Sequence, residues 1–521
     1  MSRRVRIPLI VLAPLAYTLS FGQNQTNVDL PRRSASLMEA LRSTIEINPS
    51  IQEQEQQVNL NRGILKVASG QFDTTYTGGI SQSHSYTPLT GAQLTTSLTA
   101  NNTLYSVSAQ KPFRNGLAIE PSVTLTRDTD NLSAKNGVDR SQISFQVSVP
   151  LLRGRGRDAV DSQEISSKSA LDASLYDVNS TIAQLLANTA ISYWNAVAAA
   201  QNLQIALDSE QRGLKYVQDV QTLIDADKVA KSEINQLIAN LDTRTATRIA
   251  AEQGVINAQQ SLALAMGLNS EQILVLPEPK DPLPDWPVTS IPKVTPQLTE
   301  QFVQQAMKAR PDLIAAKLRQ QAAAQLLPAA RNQLLPQLNL TLNTGYNGLT
   351  EGTGFGKAFV APFKNAQGLN ASGAINFTFP PRNDVALGQF AQTEASYQQQ
   401  SLLVGDLARN ISSNVITALS ALSNSIAALR KAKDGVAYSR VALDDEQEKF
   451  RLGISQLVNV LTLEDRLTNA LLQELSARLN YALAIENLRL ATGTVIDSNL
   501  LVHKIDEDIF TQPPSESLLL P

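Results

Sequence analysis

Two long stretches without proline constrain this chain most. One runs from Leu151 to Leu276 and the other from Arg382 to Gln512, in a chain of 521 residues that holds 24 prolines. Each reads as helix throughout with one weak point, Asp225-Ala226-Asp227-Lys228 in the first and Phe450-Arg451-Leu452-Gly453-Ile454-Ser455 in the second. Residues 383–450 as a single helix extend on the order of 100 Å at 1.5 Å per residue, against a mean globular helix of about 11–12 residues. A compact domain has no room for such an element, so the chain builds something elongated. Along the first stretch Ile182, Leu186, Tyr193, Val197, Leu203, Leu207, Leu214 and Val217 recur with gaps of 4, 7, 4, 6, 4, 7 and 3. That spacing is close to the 3.5-residue period of supercoiled neighbours, and intervening alanines such as Ala187 and Ala190 let helices approach closely.

Outside these stretches the pattern differs. Residues 36–67 read as helical, with Asn48-Pro49 marking a break or a fresh helix start, and from Phe72 the period becomes 2. In Ser141–Val149, Ile143, Phe145, Val147 and Val149 point one way and Ser144, Gln146 and Ser148 the other. Alternation without charge suits a membrane-barrel strand, apolar to lipid and polar to water. The same nine residues also suit a sandwich strand with one wet face. Tyr105–Ala109, Ala118–Thr126, 337–342 and 375–379 read likewise. Loops are expected around Asn101-Asn102, over Asp128–Asp139 and across the glycine-rich 345–373. Pro150 closes a strand, and Arg153, Arg155 and Arg157 follow where the chain would leave a bilayer at headgroup level. Pro380 and Arg382 mark the matching exit later in the chain.

Composition excludes several functions. Charged residues are 17%, below the usual quarter, and the net charge of −3 gives nucleic acid no attraction. No cysteine is present, which removes disulfides, thiolate metal sites and a cysteine lipid anchor. The two histidines, His84 and His503, lie far apart. With no nucleophile–base pair, metal spacing or phosphate loop, neither an enzyme nor a cofactor is expected. Arg3, Arg4 and Arg6 precede an apolar run, Ile7–Leu19, and small residues Ser20 and Gly22. This is a secretory signal pattern over residues 1–22, and the run is too short to span a bilayer, which takes about 20 residues. The protein is therefore exported, and no later stretch is apolar enough for a transmembrane helix.

The second half replays the first. Leu262-Ala-Leu-Ala265-Met-Gly267 recurs as Leu488-Arg-Leu-Ala491-Thr-Gly493, Val147-Ser-Val149-Pro150 as Phe377-Thr-Phe379-Pro380, and Asn48-Pro49 as Arg310-Pro311. The expected units are a first repeat over 23–276, a proline-rich extended connector over 277–297, a second repeat over 298–493 and an extension over 494–521. Each repeat is helix, strands, very long helix, tip, helix. A few strands cannot close a barrel, and unpaired backbone groups in hydrocarbon cost several kcal/mol each. Several copies must therefore pool their strands.

In that order, the Leu37…Asn48-Pro49 entry, the strand-ending Pro150 and Pro380, the Phe450–Ser455 tip and the Leu-x-Leu-Ala-x-Gly helix ends resemble the TolC-like outer-membrane efflux family over nearly all of the mature chain. The resemblance implies a trimer in which each subunit gives four strands to a twelve-stranded outer-membrane β-barrel. Long coiled-coil helices would form a periplasmic α-barrel beneath it, with a belt built from the termini and the connector. The function implied is a passive exit duct of a tripartite efflux or type I secretion system. Its tips would dock on a periplasmic adaptor driven by an inner-membrane pump or secretion ATPase. By position, the docking tips are Asp225, Asp227, Lys228, Arg451, Gly453 and Ser455, and the pore mouth is Glu233, Gln456 and Asn459. Asn459 and Asp227 depart from the acidic residue and the glycine usual at those places. The closed mouth is expected to be tied between neighbouring hairpins, with Arg451, Gln456 and Asn459 facing Asp225, Asp227, Glu233 or Asp465. The segment 104–126 has no second-half counterpart, and either lengthens the external hairpins or raises the strand count. A second class of function, an exported coiled-coil fibre or adhesin without a pore, would need uninterrupted heptads and no lipid-compatible strands.

Overall fold

The computed structural model describes residues 35–88, 97–131, 134, 136–226, 233–273, 278–286, 294–351, 366–496 and 508–514. The signal-peptide reading, Asp227 and Lys228 lie outside them. Helices α1 (Leu37–Ile47) and α2 (Pro49–Gly70) meet at Asn48. Ser36 and Glu39 form a reciprocal cap on α1, and the Asn48 carboxamide accepts from the Ser50 amide to start α2. Strands β1 (Thr75–Pro88), β2 (Ser97–Pro112), β3 (Ala118–Asp130) and β4 (Val138–Pro150) follow. Next come the short α3 (Arg157–Val160), then α4 (Ser162–Asp225), α5 (Glu233–Met266) and α6 (Ser270–Ile273). The second half contains α7 (Pro296–Ala309), α8 (Pro311–Asn332), β5 (Gln337–Glu351), β6 (Ala366–Thr378), α9 (Asp384–Arg451), α10 (Leu457–Thr492) and α11 (Asp508–Thr511). Helices α4 and α9, of 64 and 68 residues, occupy the first part of each proline-free stretch, and α5 and α10, of 34 and 36 residues, follow beyond the weak points.

The six strands form one antiparallel sheet in chain order, β1 to β6. It is open: β1 pairs with β2 and β6 with β5, and each leaves its other edge without a partner among the described residues. The register puts Gly78, Val107, Val123, Ile143, Tyr346 and Leu369 in one row across all six strands. The adjacent row is Thr77, Ser108, Ser122, Ser144, Gly345 and Asn370. One face is thus apolar and the other small and polar. The apolar side chains are not covered by the chain itself: Ile80 is 76% exposed, Val107 62% and Ile375 67%.

The sheet corrects three expectations. Six strands stand where four were implied, because 97–130 builds the full strands β2 and β3 rather than longer loops. Asn101 and Asn102 lie inside β2, and Asp128 and Asp139 inside β3 and β4. Cross-strand pairing uses their polarity: His84 Nδ1 and Asn101 Oδ1 lie 2.7 Å apart, Asn102 donates to Asp128 at 2.6 Å, and Arg140 donates to the same carboxylate at 2.5 Å. The glycine-rich 345–373 is strand at both ends, since β5 runs to Glu351 and β6 starts at Ala366. Gly345 lies close to the neighbouring backbone; a Cβ there would lie 2.4 Å from the Ile143 carbonyl oxygen.

Four helices continue four strands: α2 leads into β1, β4 into α4, α8 into β5 and β6 into α9. They pack side by side in the order α2, α4, α8, α9. Further along, α4 pairs with α5 and α9 with α10, while α10 also packs on α4. Ile182, Leu186, Tyr193 and Val197 are buried as the period demands, but Leu214 is exposed. The seam drifts there to Ala206, Ser209, Gly213, Val220 and Ile224, because an ideal helix slips about 20° per heptad.

The proline-rich connector is extended over its described part, 278–286, yet it is tightly docked. Ala35 and Pro279 form a β-bridge. Asp281 accepts from the Leu37 amide at 2.6 Å and from the Tyr193 hydroxyl at 2.9 Å. Leu283 and Trp286 are buried, the latter edge-on to Tyr481 at 6.2 Å between centroids. Phe510 of α11 is fully buried in the same core as Leu37 and Trp194. Connector and C-terminal segment therefore strap the helices where α1 and α4 meet.

Candidate functional site

The candidate site is a wall and a mouth: the two-faced sheet at one end and the helical hairpin tips at the other. At the sheet–helix junction Arg153 donates to Gln337 at 3.3 Å, Arg155 to the Leu151 carbonyl at 3.5 Å and Arg157 to Asp161 at 2.8 Å. Pro150 is the last residue of β4. Pro380 and Arg382 lie between β6 and α9, and Asn383 there adopts a left-handed backbone, φ 50°, while its side chain donates to the Leu334 carbonyl at 3.2 Å. All six junction residues expected from sequence lie where strands turn into helices.

The second tip is closed by local bonds. The Gly453 amide donates to the Phe450 carbonyl and the Ile454 amide to Lys449, each at 2.9 Å. Gly453 has φ 75°, which a glycine adopts without steric cost. The Ser455 hydroxyl donates to Glu446, and Asn459 donates to Ser455 at 3.2 Å. The Ser455 bond and Lys449 hold the Glu446 carboxyl below its usual range. Arg451 pairs with Glu448 one turn back at 3.3 Å, and both are largely exposed. Gln456 immediately precedes α10 without a side-chain capping bond, Asp225 accepts from Gln221 at 2.9 Å, and Glu233 opens α5. Within one chain, then, Arg451 and Asn459 bond to their own hairpin rather than to the first. Leu452 and Ile454 are left exposed at the tip, 64% and 74%.

The ties between the two hairpins lie deeper, at residues that sequence reading passed over. Glu464 is fully buried; it accepts from Arg212 at 2.8 Å and from the Tyr216 hydroxyl at 3.1 Å. Gln447 donates to the Tyr216 oxygen at 2.7 Å. Burial, with the Glu464 carboxylate beside it, pushes the Tyr216 hydroxyl up to about 12. Beside this cluster the buried Arg244 donates to the Ser209 carbonyl at 3.0 Å and to Asp465 at 2.9 Å. Arg212 precedes the end of α4 by 13 residues, a height of about 20 Å above the tip. Asp465 was the one member named from sequence, and its partner is Arg244 rather than a tip residue. The available signal was the pair Glu464-Asp465 beside the apolar seam positions Val460, Leu461 and Leu467. A charge there must be paired.

A further tie lies nearer the connector. The Trp194 indole donates to Glu486 at 3.3 Å. Glu486 is fully buried and its second oxygen has no partner among the described residues. Burial raises its carboxyl well above the ordinary range. No cluster of metal-binding side chains occurs among the described residues, and no described helix is long and apolar enough to cross a membrane.

Comparison with known proteins agrees with this geometry. The family model "Outer membrane efflux protein" matches residues 302–494. The outer membrane protein TolC of Escherichia coli is 23% identical over 335 residues, which is 63% of this chain and 66% of that protein, just under two thirds of its length. The pyoverdine export outer membrane protein OpmQ of Pseudomonas putida is 26% identical over 318 residues, 60% of this chain and 62% of that protein. Among solved structures, the Campylobacter jejuni CmeC outer membrane channel superposes with a TM-score of 0.64 at 14% identity, covering 89% of this chain and 87% of its own. These relatives are channel and export proteins rather than enzymes. Residues 302–494 thus carry an outer membrane efflux protein domain, and the chain is similar in sequence to TolC and in fold to outer-membrane channels.

Proposed function

We propose that the protein is the outer-membrane exit duct of a tripartite efflux or type I secretion system, working as a homotrimer with its helical part in the periplasm. The single observation that carries this reading is the sheet. It has one apolar face and one polar face in register over six strands, and both of its edges are open. An open edge is not tolerated in hydrocarbon, so β6 of one copy meets β1 of the next and the strands close around a polar bore. Exposed apolar residues on the outer helices extend the same seam: Leu60, Ile64 and Val67 on α2, and Val385, Leu387 and Leu402 on α9.

The two halves are read as repeats with the connector and termini as a mid-height belt. The tip residues Asp225, Asp227, Lys228, Arg451, Gly453 and Ser455 are read as the face offered to an adaptor, which an inner-membrane pump or secretion ATPase drives. Exposed Leu452 and Ile454 give that face apolar content. Glu233, Gln456 and Asn459 line the mouth. Purified protein in planar lipid bilayers tests the reading. Discrete ion-conducting steps, raised by Arg451→Ala, are expected; a bilayer left silent by intact, folded protein contradicts the duct.

A further inference from the structure

We infer that the β2–β3 hairpin sets the calibre of the outer-membrane bore, giving an eighteen-stranded wall as wide as the helical tube that feeds it. The inference rests on the trimeric reading above. Three observations carry it. First, the hairpin is part of the sheet: β1 pairs with β2, β2 with β3 and β3 with β4, so β1 and β4 are held two strands apart. Second, it carries the same two faces as the rest. Tyr105, Val107, Val123 and Leu125 lie on the apolar side, and Ser106, Ser108, Ser122 and Thr124 on the polar side. At 16 and 13 residues its strands exceed the roughly 9–11 that cross a bilayer.

Third, its turn is fixed to the helices at the inner end. Arg114 makes a two-pronged ion pair with Glu164 in the first turn of α4, at 2.6 and 2.7 Å. The same guanidinium stacks 4.7 Å from the ring centre of buried Phe72, just past α2. Lys111 donates to the Phe72 carbonyl at 2.6 Å, and the Gly156 amide to Asn115 at 3.2 Å. Gly116, at φ 91°, seats the turn so close that a Cβ would lie 2.1 Å from the Gly154 carbonyl oxygen. The turn thus fills the seam between α2 and α4, which pack together although their strands are separated by the insertion.

Girth explains what the insertion achieves. With strands about 4.8 Å apart and tilted about 40°, four strands cover roughly 25 Å of circumference and six roughly 38 Å. The four helices that continue them, at about 9 Å each, cover roughly 36 Å. Six strands match the tube; four would narrow it. The lumen face of the hairpin is small and polar, with Glu120, Asp128 and Asp130 as its acidic positions, so the insertion widens the bore and lines part of it with carboxylates.

Cryo-electron microscopy of the full chain in lipid nanodiscs, beside a variant lacking residues 97–130, tests this. The expected result is a trimer with eighteen strands, and a twelve-stranded variant whose bore is narrower by about 1.5-fold, since barrel diameter grows with strand number. A full-chain trimer with a twelve-stranded wall and the hairpin outside it overturns the inference and leaves the duct reading intact. Absence of a trimer overturns both. Should the deletion fail to assemble, the strand count of the full chain alone decides.

Discussion

The two halves of the chain solve the same helical problem and different strand problems. Each half enters through a helix pair broken at Asn48-Pro49 or Arg310-Pro311, runs out along a helix of 64 or 68 residues and returns to a glycine with positive φ, Gly267 or Gly493. Between the entry and the long helix the first half places four strands and the second only two. Helices are fixed by seams on several neighbours at once, so their number and order cannot change without repacking the tube. A hairpin added to a sheet needs only its own pairing and an anchored turn. The strand region is therefore where the halves diverge.

The comparison can be broken most severely at Gly116, which belongs to the extra hairpin alone. Gly116→Val meets the Gly154 carbonyl and forces a left-handed backbone on a β-branched residue, a strain of about 1–3 kcal/mol before the clash is counted. Assembled protein on semi-native gels is expected to fall to a small fraction of wild type. Next in size is the tie between the halves at Glu464. Arg212→Ala leaves a buried carboxylate without its ion-pair partner and is expected to cost about 3 kcal/mol in thermal unfolding. That is the low end for such pairs, because Arg212 keeps partial access to water.

The second inter-half tie, Trp194–Glu486, sharpens the comparison through pH. Burial raises the Glu486 carboxyl, so the folded state favours its protonated form. The stabilisation is complete below the ordinary carboxyl value of about 4.3 and is lost as pH rises towards the raised folded value. Glu486→Gln retains an acceptor for Trp194 and is expected to flatten that slope, raising the melting temperature by a few degrees at pH 8 and leaving it unchanged near pH 4. Equal slopes in both proteins would show that Glu486 folds ionised. Smallest is Arg451→Ala, which removes an exposed pair with Glu448. Its effect on melting is expected within about 0.5 kcal/mol, so any gain in conductance reports the mouth and not the fold.

The helical half of this design was legible from residue spacing. Missing prolines located α9 to within a residue or two and the end of α4 at Asp225, although α4 starts at Ser162, eleven residues into its stretch, and Asn48-Pro49 and Arg310-Pro311 are helix boundaries. Strand alternation at 141–149 was also legible, because that strand carries branched and aromatic residues on one face. Strand ends were not. Asn101, Asn102 and Asp128 carry turn chemistry by composition, and only cross-strand partners such as His84 and Arg140 make them strand. The long loop expected over 345–373 failed for a related reason: glycine in a strand allows close backbone approach, which period alone does not reveal. At the tips, local sequence located the turn but not the ties. Arg212 and Tyr216 lie 252 and 248 residues from Glu464 in sequence, and only the packing of α4 on α10 brings them together.

The central claim is that the sheet closes between copies, β6 of one against β1 of the next. The chain has no cysteine, so disulfide mapping is direct. Ser81→Cys on the polar face of β1 is combined in turn with Asn370→Cys, Ser372→Cys and Ala374→Cys on the polar face of β6. Within one flat sheet these edges lie five strand spacings apart, about 24 Å, far beyond disulfide reach of about 7 Å. Oxidation in intact outer membranes is expected to yield a covalent trimer with at least one pair. Only monomers with all three pairs, in protein that still assembles, would contradict closure between copies.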